Sequence, residues 1–172
     1  MSVVLLSVFI ISLSIISFSL HTGISPMPSS SKAKKAILSS IHQPGCLVEL
    51  GSGWGGLALA LARAFPEVKV MAYEISPVPW AFSKLIQKLR KARNLTILRS
   101  DFFKKNLEDA DVVVCYLCPA LMKKLKPQLE QELRPGSLVI SNSFIVPGWP
   151  VYKILKVNDL WGSELFIYKI HS

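Results

Sequence analysis

One stretch limits what this 172-residue chain can fold into more than any other: Cys46-Leu47-Val48-Glu49-Leu50-Gly51-Ser52-Gly53-Trp54-Gly55-Gly56. A short apolar run of this kind reads as a buried parallel strand, and it breaks straight into glycines that open a helix from about Leu57. A strand-to-helix turn that tight needs backbone conformations closed to residues with side chains. A ligand seated in it also needs bare main chain to approach. The unpaired N–H groups of the following helix point into the same turn. The arrangement is a nucleotide-type pocket. Gly51, Gly53 and Gly56 satisfy a G-x-G-x-x-G spacing, while Glu49, Gly51, Gly53 and Gly55 satisfy acidic-x-G-x-G-x-G. The glycines by themselves do not choose between the two.

The flanking sequence supplies the scaffold. After a Pro/Ser/Gly-rich linker over 21–31, one of Ser29, Ser30 or Ser31 caps a short helix running to about His42, and Pro44-Gly45 ends it. Strand Cys46–Leu50 then leads to helix Leu57–Phe65, and strand Val68–Tyr73 to helix Val78–Arg93. Strand Leu95–Arg99, a short helical turn, strand Asp111–Leu117, helix Pro119–Leu133 and strand Ser137–Asn142 follow. Strands separated by helix-length segments specify a parallel sheet with crossover helices on both faces. The end of the chain changes character: Val151–Val157 and Glu164–Ile170 are β-rich runs with no helix-sized segment between them. They read as an antiparallel hairpin at the sheet edge. The expected fold is therefore α/β and Rossmann-like, mostly parallel with a C-terminal antiparallel hairpin.

Ahead of this domain (32–172), Val3–Leu20 carries no charge and is almost all Val, Leu, Ile, Phe and Ser. At roughly 18 residues it is just long enough to cross a hydrocarbon core, so residues 1–20 read as a transmembrane anchor. A cleaved signal peptide is the alternative, with Ser17 and Ser19 as small residues for processing, but it lacks the basic residues that normally precede the apolar run. Lys32, Lys34 and Lys35 follow the segment, and the positive-inside rule then puts the domain on the cytoplasmic side of a single-pass protein. Three cysteines, Cys46, Cys115 and Cys118, fall in or beside strands, an odd count that suits a reducing compartment. The formal charge of +9 suggests a polyanionic neighbour, with a basic background and solvated helix faces as the plain alternative. An anionic membrane surface fits better than nucleic acid, because the basic residues lack interleaved aromatics. Cys115-x-x-Cys118 has no second pair or suitably spaced His, so no metal is expected.

Three later features bear on the nucleotide. Glu74 ends the second strand, where a carboxylate can accept both ribose hydroxyls of either NAD or S-adenosylmethionine (SAM). Asp101, just after the third strand, suits SAM better, since it can take the adenine amino group. Each acid alone also reads as a helix N-cap or solvated loop carboxylate. A dehydrogenase would need a substrate domain for which no residues are left.

Val48-Glu49-Leu50-Gly51-Ser52-Gly53-Trp54-Gly55, Tyr73-Glu74-Ile75-Ser76-Pro77 and Asp101-Phe102-Phe103-Lys104-Lys105 together resemble a class I SAM-dependent methyltransferase. More narrowly, Val112–Pro119 and Phe144-Ile145-Val146-Pro147-Gly148-Trp149 resemble the ATP synthase c-subunit lysine N-methyltransferase family and its prokaryotic relatives. The resemblance covers about Ile37 to Ile170. It implies that Glu49, Gly51, Ser52, Gly53 and Gly55 cradle the methionine part of SAM, that Glu74 holds the ribose, and that Asp101 and Phe102 flank the adenine. The family usually has Asp where this chain has Trp54.

Methyl transfer from a sulfonium is an in-line displacement that needs orientation and a desolvated channel rather than a dedicated base. A lysine acceptor must first lose its proton, which a low-dielectric pocket favours. Tyr116-Leu117-Cys118-Pro119, at the carboxyl end of the fourth strand, is best placed for this, with Tyr116 and Pro119 positioning the acceptor. Tyr116 otherwise reads as a packed strand-end aromatic, and Trp149 either lines the entrance or closes the core. The expected activity is lysine N-methylation of a protein in or beside the membrane. The alternatives are methylation of a lipid or small amine, or a catalytically silent SAM-binding module.

Overall fold

The computed structural model describes residues 28–171. The expected spanning segment Val3–Leu20 lies outside them, and among the described residues no helix is long and apolar enough to cross a membrane. The elements run α1 (Ser31–Ser39), β1 (Cys46–Leu50), α2 (Gly56–Ala64), β2 (Lys69–Glu74), α3 (Pro77–Leu89) and β3 (Leu95–Arg99). A 3₁₀ turn (Phe102–Lys104) follows, then β4 (Val112–Cys115), α4 (Pro119–Glu132), β5 (Leu138–Asn142), β6 (Lys153–Lys156) and β7 (Glu164–Lys169). The seven strands form one sheet in the order β3-β2-β1-β4-β5-β7-β6. Only β7 runs antiparallel to its neighbours β5 and β6. The expected hairpin is present, with β7 inserted against β5 and β6 left on the edge.

Alternation along the strands divides the core in two. Leu47, Val70, Ala72, Leu95, Ile97, Val112, Val114 and Ile140 face Ala33 and Ile37 of α1 and Leu57, Ala58 and Leu61 of α2. Val48, Leu50, Val113, Cys115 and Val139 face Met122, Leu125 and Leu129 of α4 on the other side. Strands buried on both faces are the expected form of a parallel sheet.

Sequence chemistry sets the helix ends. Ser30 is the cap of α1, its hydroxyl accepting from the Ala33 N–H at 3.0 Å. Proline opens α3 and α4 at Pro77 and Pro119, where a missing N–H costs nothing. Several boundaries differ from the sequence expectation, three of them at C-terminal ends of elements. Helix α1 stops at Ser39, short of His42, where the chain turns through Gln43 at φ 44°. Helix α3 stops at Leu89, and Lys91 turns the chain at φ 53°. Strand β4 ends at Cys115, so Tyr116 and Leu117 leave the ladder.

The order β3-β2-β1-β4-β5 reverses the direction of winding between β1 and β4. At such a switch the connections leave to opposite faces and open a crevice at the carboxyl ends of the two strands. The glycine turn and Tyr116–Pro119 both emerge there.

Candidate functional site

Three alternate glycines shape the turn after β1. Gly51, Gly53 and Gly55 sit at φ 73°, 52° and 76°, the left-handed region that other residues enter only at a cost. Gly55 has a further reason to lack a side chain: a Cβ there would lie 2.7 Å from the Cβ of Ser83, so α3 packs directly onto the loop. Over Gly53, by contrast, an added Cβ would meet no atom within 4 Å. The space above Gly53 is open, and the bare main chain borders it.

β2 fixes the loop. The Gly51 and Ser52 N–H groups donate to the Tyr73 carbonyl at 3.0 and 2.9 Å. The Glu74 carboxylate accepts from the Gly53 N–H at 2.7 Å on one oxygen and from the Ser76 N–H at 2.7 Å on the other. Glu74 thus joins the glycine turn to the start of α3, and each oxygen keeps a lone pair for a further donor such as a hydroxyl.

Glu49 lies one residue before the end of β1, on the sheet face covered by α1 and α2, and is 6% exposed. Its Oε2 and the Ser52 hydroxyl are buried without a hydrogen-bond partner. Burial, and then the neighbouring Glu74 charge, push the Glu49 carboxyl up to about 8, against weaker opposing effects of the Ala58 backbone and Lys34. Lys34 reaches in from α1, its Nζ 3.0 Å from where a Cβ on Gly56 would sit. Two orphaned polar groups at the foot of a glycine turn are the signature of a place where a polar ligand completes the hydrogen bonding.

Asp101 follows β3 at the same edge. One carboxylate oxygen accepts from the Phe103 N–H at 3.1 Å, capping the 3₁₀ turn and leaving the other free. Phe102 is 7% exposed and belongs to the α4-side core, tilted against Phe103 at 4.5 Å between ring centroids. Its ring therefore supports the turn carrying Asp101.

Tyr116 is half-buried and stacks on Phe144, which follows β5, at 6.1 Å and 25° between ring planes. The pair forms an aromatic wall at the β4 side of the crevice. Pro119 is exposed at the first turn of α4. Trp149 closes the core: its ring meets Tyr168 edge-on at 5.7 Å and its Nε1 donates to Glu130 at 2.7 Å. Trp54 leans edge-on against Phe82 of α3 at 5.4 Å, so an aromatic contact with the neighbouring helix stands where a polar side chain is usual. The Cys115 thiol is buried and pushed up to about 12, which leaves it unreactive. Among the described residues no group of three or more His, Cys, Asp or Glu is gathered to hold a metal.

The sequence reading missed three participants. Lys34, Ser83 and Phe144 reach the site from α1, α3 and the segment after β5, and only the folded sheet brings them to the glycine turn and to Tyr116. The signals available were the small residue at position 83, since a helix crossing a glycine turn closely needs one, and the place of Phe144 in the run Phe144–Trp149.

Residues 49–153 match the family described as the ANTKMT methyltransferase domain. A protein-lysine N-methyltransferase of Saccharolobus islandicus (strain REY15A) is 28% identical over 81% of this chain and 87% of its own length. The mouse ATP synthase c-subunit lysine N-methyltransferase is 30% identical over 72% of this chain, which spans only 50% of that protein. Among solved structures, an RNA methyltransferase from Salinibacter ruber in complex with S-adenosyl-L-homocysteine superposes with a TM-score of 0.76. It is 25% identical and covers 85% of this chain and 95% of its own.

Proposed function

Because the chain belongs to the ANTKMT methyltransferase domain family, we propose that it is a SAM-dependent protein-lysine N-methyltransferase, tethered to a membrane through its N-terminal apolar segment and acting on a protein in or beside that membrane. The observation that carries the cofactor assignment is the unpartnered pair Glu49 Oε2 and Ser52 Oγ beneath an open, side-chain-free turn. SAM brings an activated methyl group on a sulfonium, together with an ammonium, a ribose and an adenine that need polar partners. Glu49 and Ser52 offer acceptors for the ammonium, and the first turn of α2, whose N–H groups have no partner within the helix, offers donors for the carboxylate. Glu74 offers its remaining lone pairs to the ribose hydroxyls, and Asp101 its free oxygen to the adenine amino group. The set fits.

The chain's own contribution to transfer is placement and exclusion of water. Tyr116 and Phe144 wall the crevice, and Leu117, buried beneath Gly51, keeps its floor apolar. A lysine ammonium entering such a crevice loses hydration, which favours the neutral amine that can attack a methyl group. The Tyr116 hydroxyl and the carbonyls of 116–118 supply acceptors that direct the amine's remaining hydrogens. Pro119 donates no N–H at the mouth, so nothing there competes for the amine lone pair.

The substrate class is supported by the named lysine methyltransferases to which the chain is similar, and the tether by the uncharged run Val3–Leu20. Tethering raises the local concentration of a membrane acceptor without any new contact. The test is mass spectrometry of lysine methylation in native membranes incubated with SAM and the full chain, with Gly53→Arg as the inactive control. Methylated lysines dependent on an intact Gly53 are expected. Methyl incorporation confined to extracted lipids or small amines overturns the protein acceptor, and failure of the full chain to sediment with membranes overturns the tether.

A further inference from the structure

The loop between β6 and β7 presents the two most solvent-exposed large hydrophobic side chains of the described residues. Leu160 is 98% exposed and Trp161 is 69% exposed, side by side at the tip. Isolated exposed hydrophobes are ordinary, but this tip is held out by a dedicated network. The Asp159 carboxylate accepts from the Trp161 N–H at 3.1 Å, the Ser163 N–H at 2.9 Å, the Ser163 hydroxyl at 2.8 Å and the Ser30 hydroxyl at 2.6 Å. Gly162, at φ 59°, completes the turn. With Asp159 spent internally, the charges left around the loop are Lys32, whose ammonium donates to the Asn158 carbonyl, and Lys156, which faces Glu164 across the strand pair. The surround is net basic.

Position turns exposure into a role. β6 runs parallel to β1–β5, so the loop after it lies at the sheet edge that carries the glycine turn, Glu74, Asp101 and Tyr116. The loop is also where the described chain begins: Ser30 and Lys32 bind it directly, and Asn142 at the end of β5 donates to Ser29 at 3.2 Å. Only eight chain steps separate Leu20, the end of the uncharged run, from Pro28. At full extension they span no more than about 29 Å. A bilayer holding Val3–Leu20 therefore lies within reach of this tip. A tryptophan beside a leucine, with Lys32 and Lys156 nearby, is a composition that partitions into the headgroup region of an anionic bilayer.

We propose that the Asn158–Gly162 loop is an interfacial wedge, inserting Leu160 and Trp161 into the headgroup layer of the bilayer that holds the N-terminal segment and so turning the catalytic edge of the sheet toward the membrane. This rests on the tether proposed above and adds the orientation of the domain. The experiment uses the full chain reconstituted in phosphatidylcholine–phosphatidylserine vesicles, with acyl chains brominated near the headgroup. Tryptophan emission is read for the native chain and for Trp161→Phe. Quenching by brominated lipid that largely disappears in Trp161→Phe is expected, with Leu160→Ser reducing it. Equal quenching in the native chain and Trp161→Phe, in protein that floats with the vesicles, overturns the wedge while leaving the tether standing. It is also the outcome if the loop packs instead on the chain's own apolar segment. Failure to float overturns both.

Discussion

A buried carboxyl with one oxygen unpartnered beneath the glycine turn makes Glu49 the residue whose protonation the fold most constrains. Its pKa is about 8 in the folded chain against an ordinary 4.5, so between these values the native state holds a proton that the unfolded state has released. Its contribution to stability is accordingly complete below about pH 4.5 and is lost as pH rises toward 8, with a slope of at most about 1.4 kcal/mol per pH unit. Urea unfolding of the ligand-free protein at intervals from pH 5 to 8 is expected to show this decline, and Glu49→Gln to flatten it. The neighbouring glycines separate two costs that a sequence motif merges. Gly55→Ala combines left-handed backbone with a 2.7 Å approach to Ser83 and is expected to destabilise by about 2–4 kcal/mol. Gly53→Ala meets open space and is expected to cost only about 1–2 kcal/mol of strain while weakening SAM binding, because the new methyl group occupies room the ligand needs. Equilibrium unfolding paired with SAM titration of both variants distinguishes them: equal stability losses would contradict the packing described.

Helix α1 and the β6–β7 loop meet through one carboxylate, a coupling between the first and last elements of the domain. Four hydrogen bonds hold Asp159 ionised, led by the Ser163 N–H and then the Ser30 hydroxyl, and lower it to about 2. For a depressed carboxyl the stabilisation is present above the ordinary value of 3.8 and disappears as pH falls toward 2. Asp159→Ala is expected to speed hydrogen exchange in 31–39 at neutral pH, with β1 and β4 unaffected, and native-chain α1 is expected to loosen between pH 3.8 and 2. Exchange measured by mass spectrometry checks both. This coupling was invisible in the sequence, where Ser30 read only as a helix cap and Asp159 only as a turn residue. The strands and helices were legible, because uninterrupted Val/Leu/Ile runs alternating with longer amphipathic segments admit few other arrangements. Their ends were less so: Tyr116 reads as strand by composition, but stacking on Phe144 draws it out of the ladder. The site was legible as far as its motifs reach. Glu74 stands 21 residues from Gly53, and that they bond follows from the parallel pairing of β1 with β2. Asp101 caps a turn with one oxygen, as one of its two readings has it, and its other oxygen is left without a partner, so the cap leaves room for the ligand reading.

At the scale of the molecule, the sheet order concentrates chemistry on one edge, and Ser29 and Ser30, at the start of the described residues, are bonded there. The glycine turn, Glu74, Asp101, the Tyr116–Phe144 wall and the β6–β7 loop all lie at the carboxyl ends of parallel strands. The chain carries a formal charge of +9, and from Ile75 to Ser100 it has six basic residues and no acid, so long-range attraction to an anionic surface adds to any tether. Two consequences can be separated by removing residues 1–27. The remaining chain keeps Ser29 and Ser30, and with them the contacts that seat α1. Calorimetry with SAM is therefore expected to give the affinity of the full chain, since no site residue is lost. Transfer to a membrane-embedded lysine is expected to fall by about 10²–10⁴-fold, the loss that accompanies conversion of a confined encounter into a free one. Transfer to a soluble lysine peptide is expected to stay unchanged. Parallel rate measurements on both acceptors carry the decision: an equal loss on the two would mean that the first 27 residues build the site itself, whereas a loss confined to the membrane acceptor assigns them to delivery.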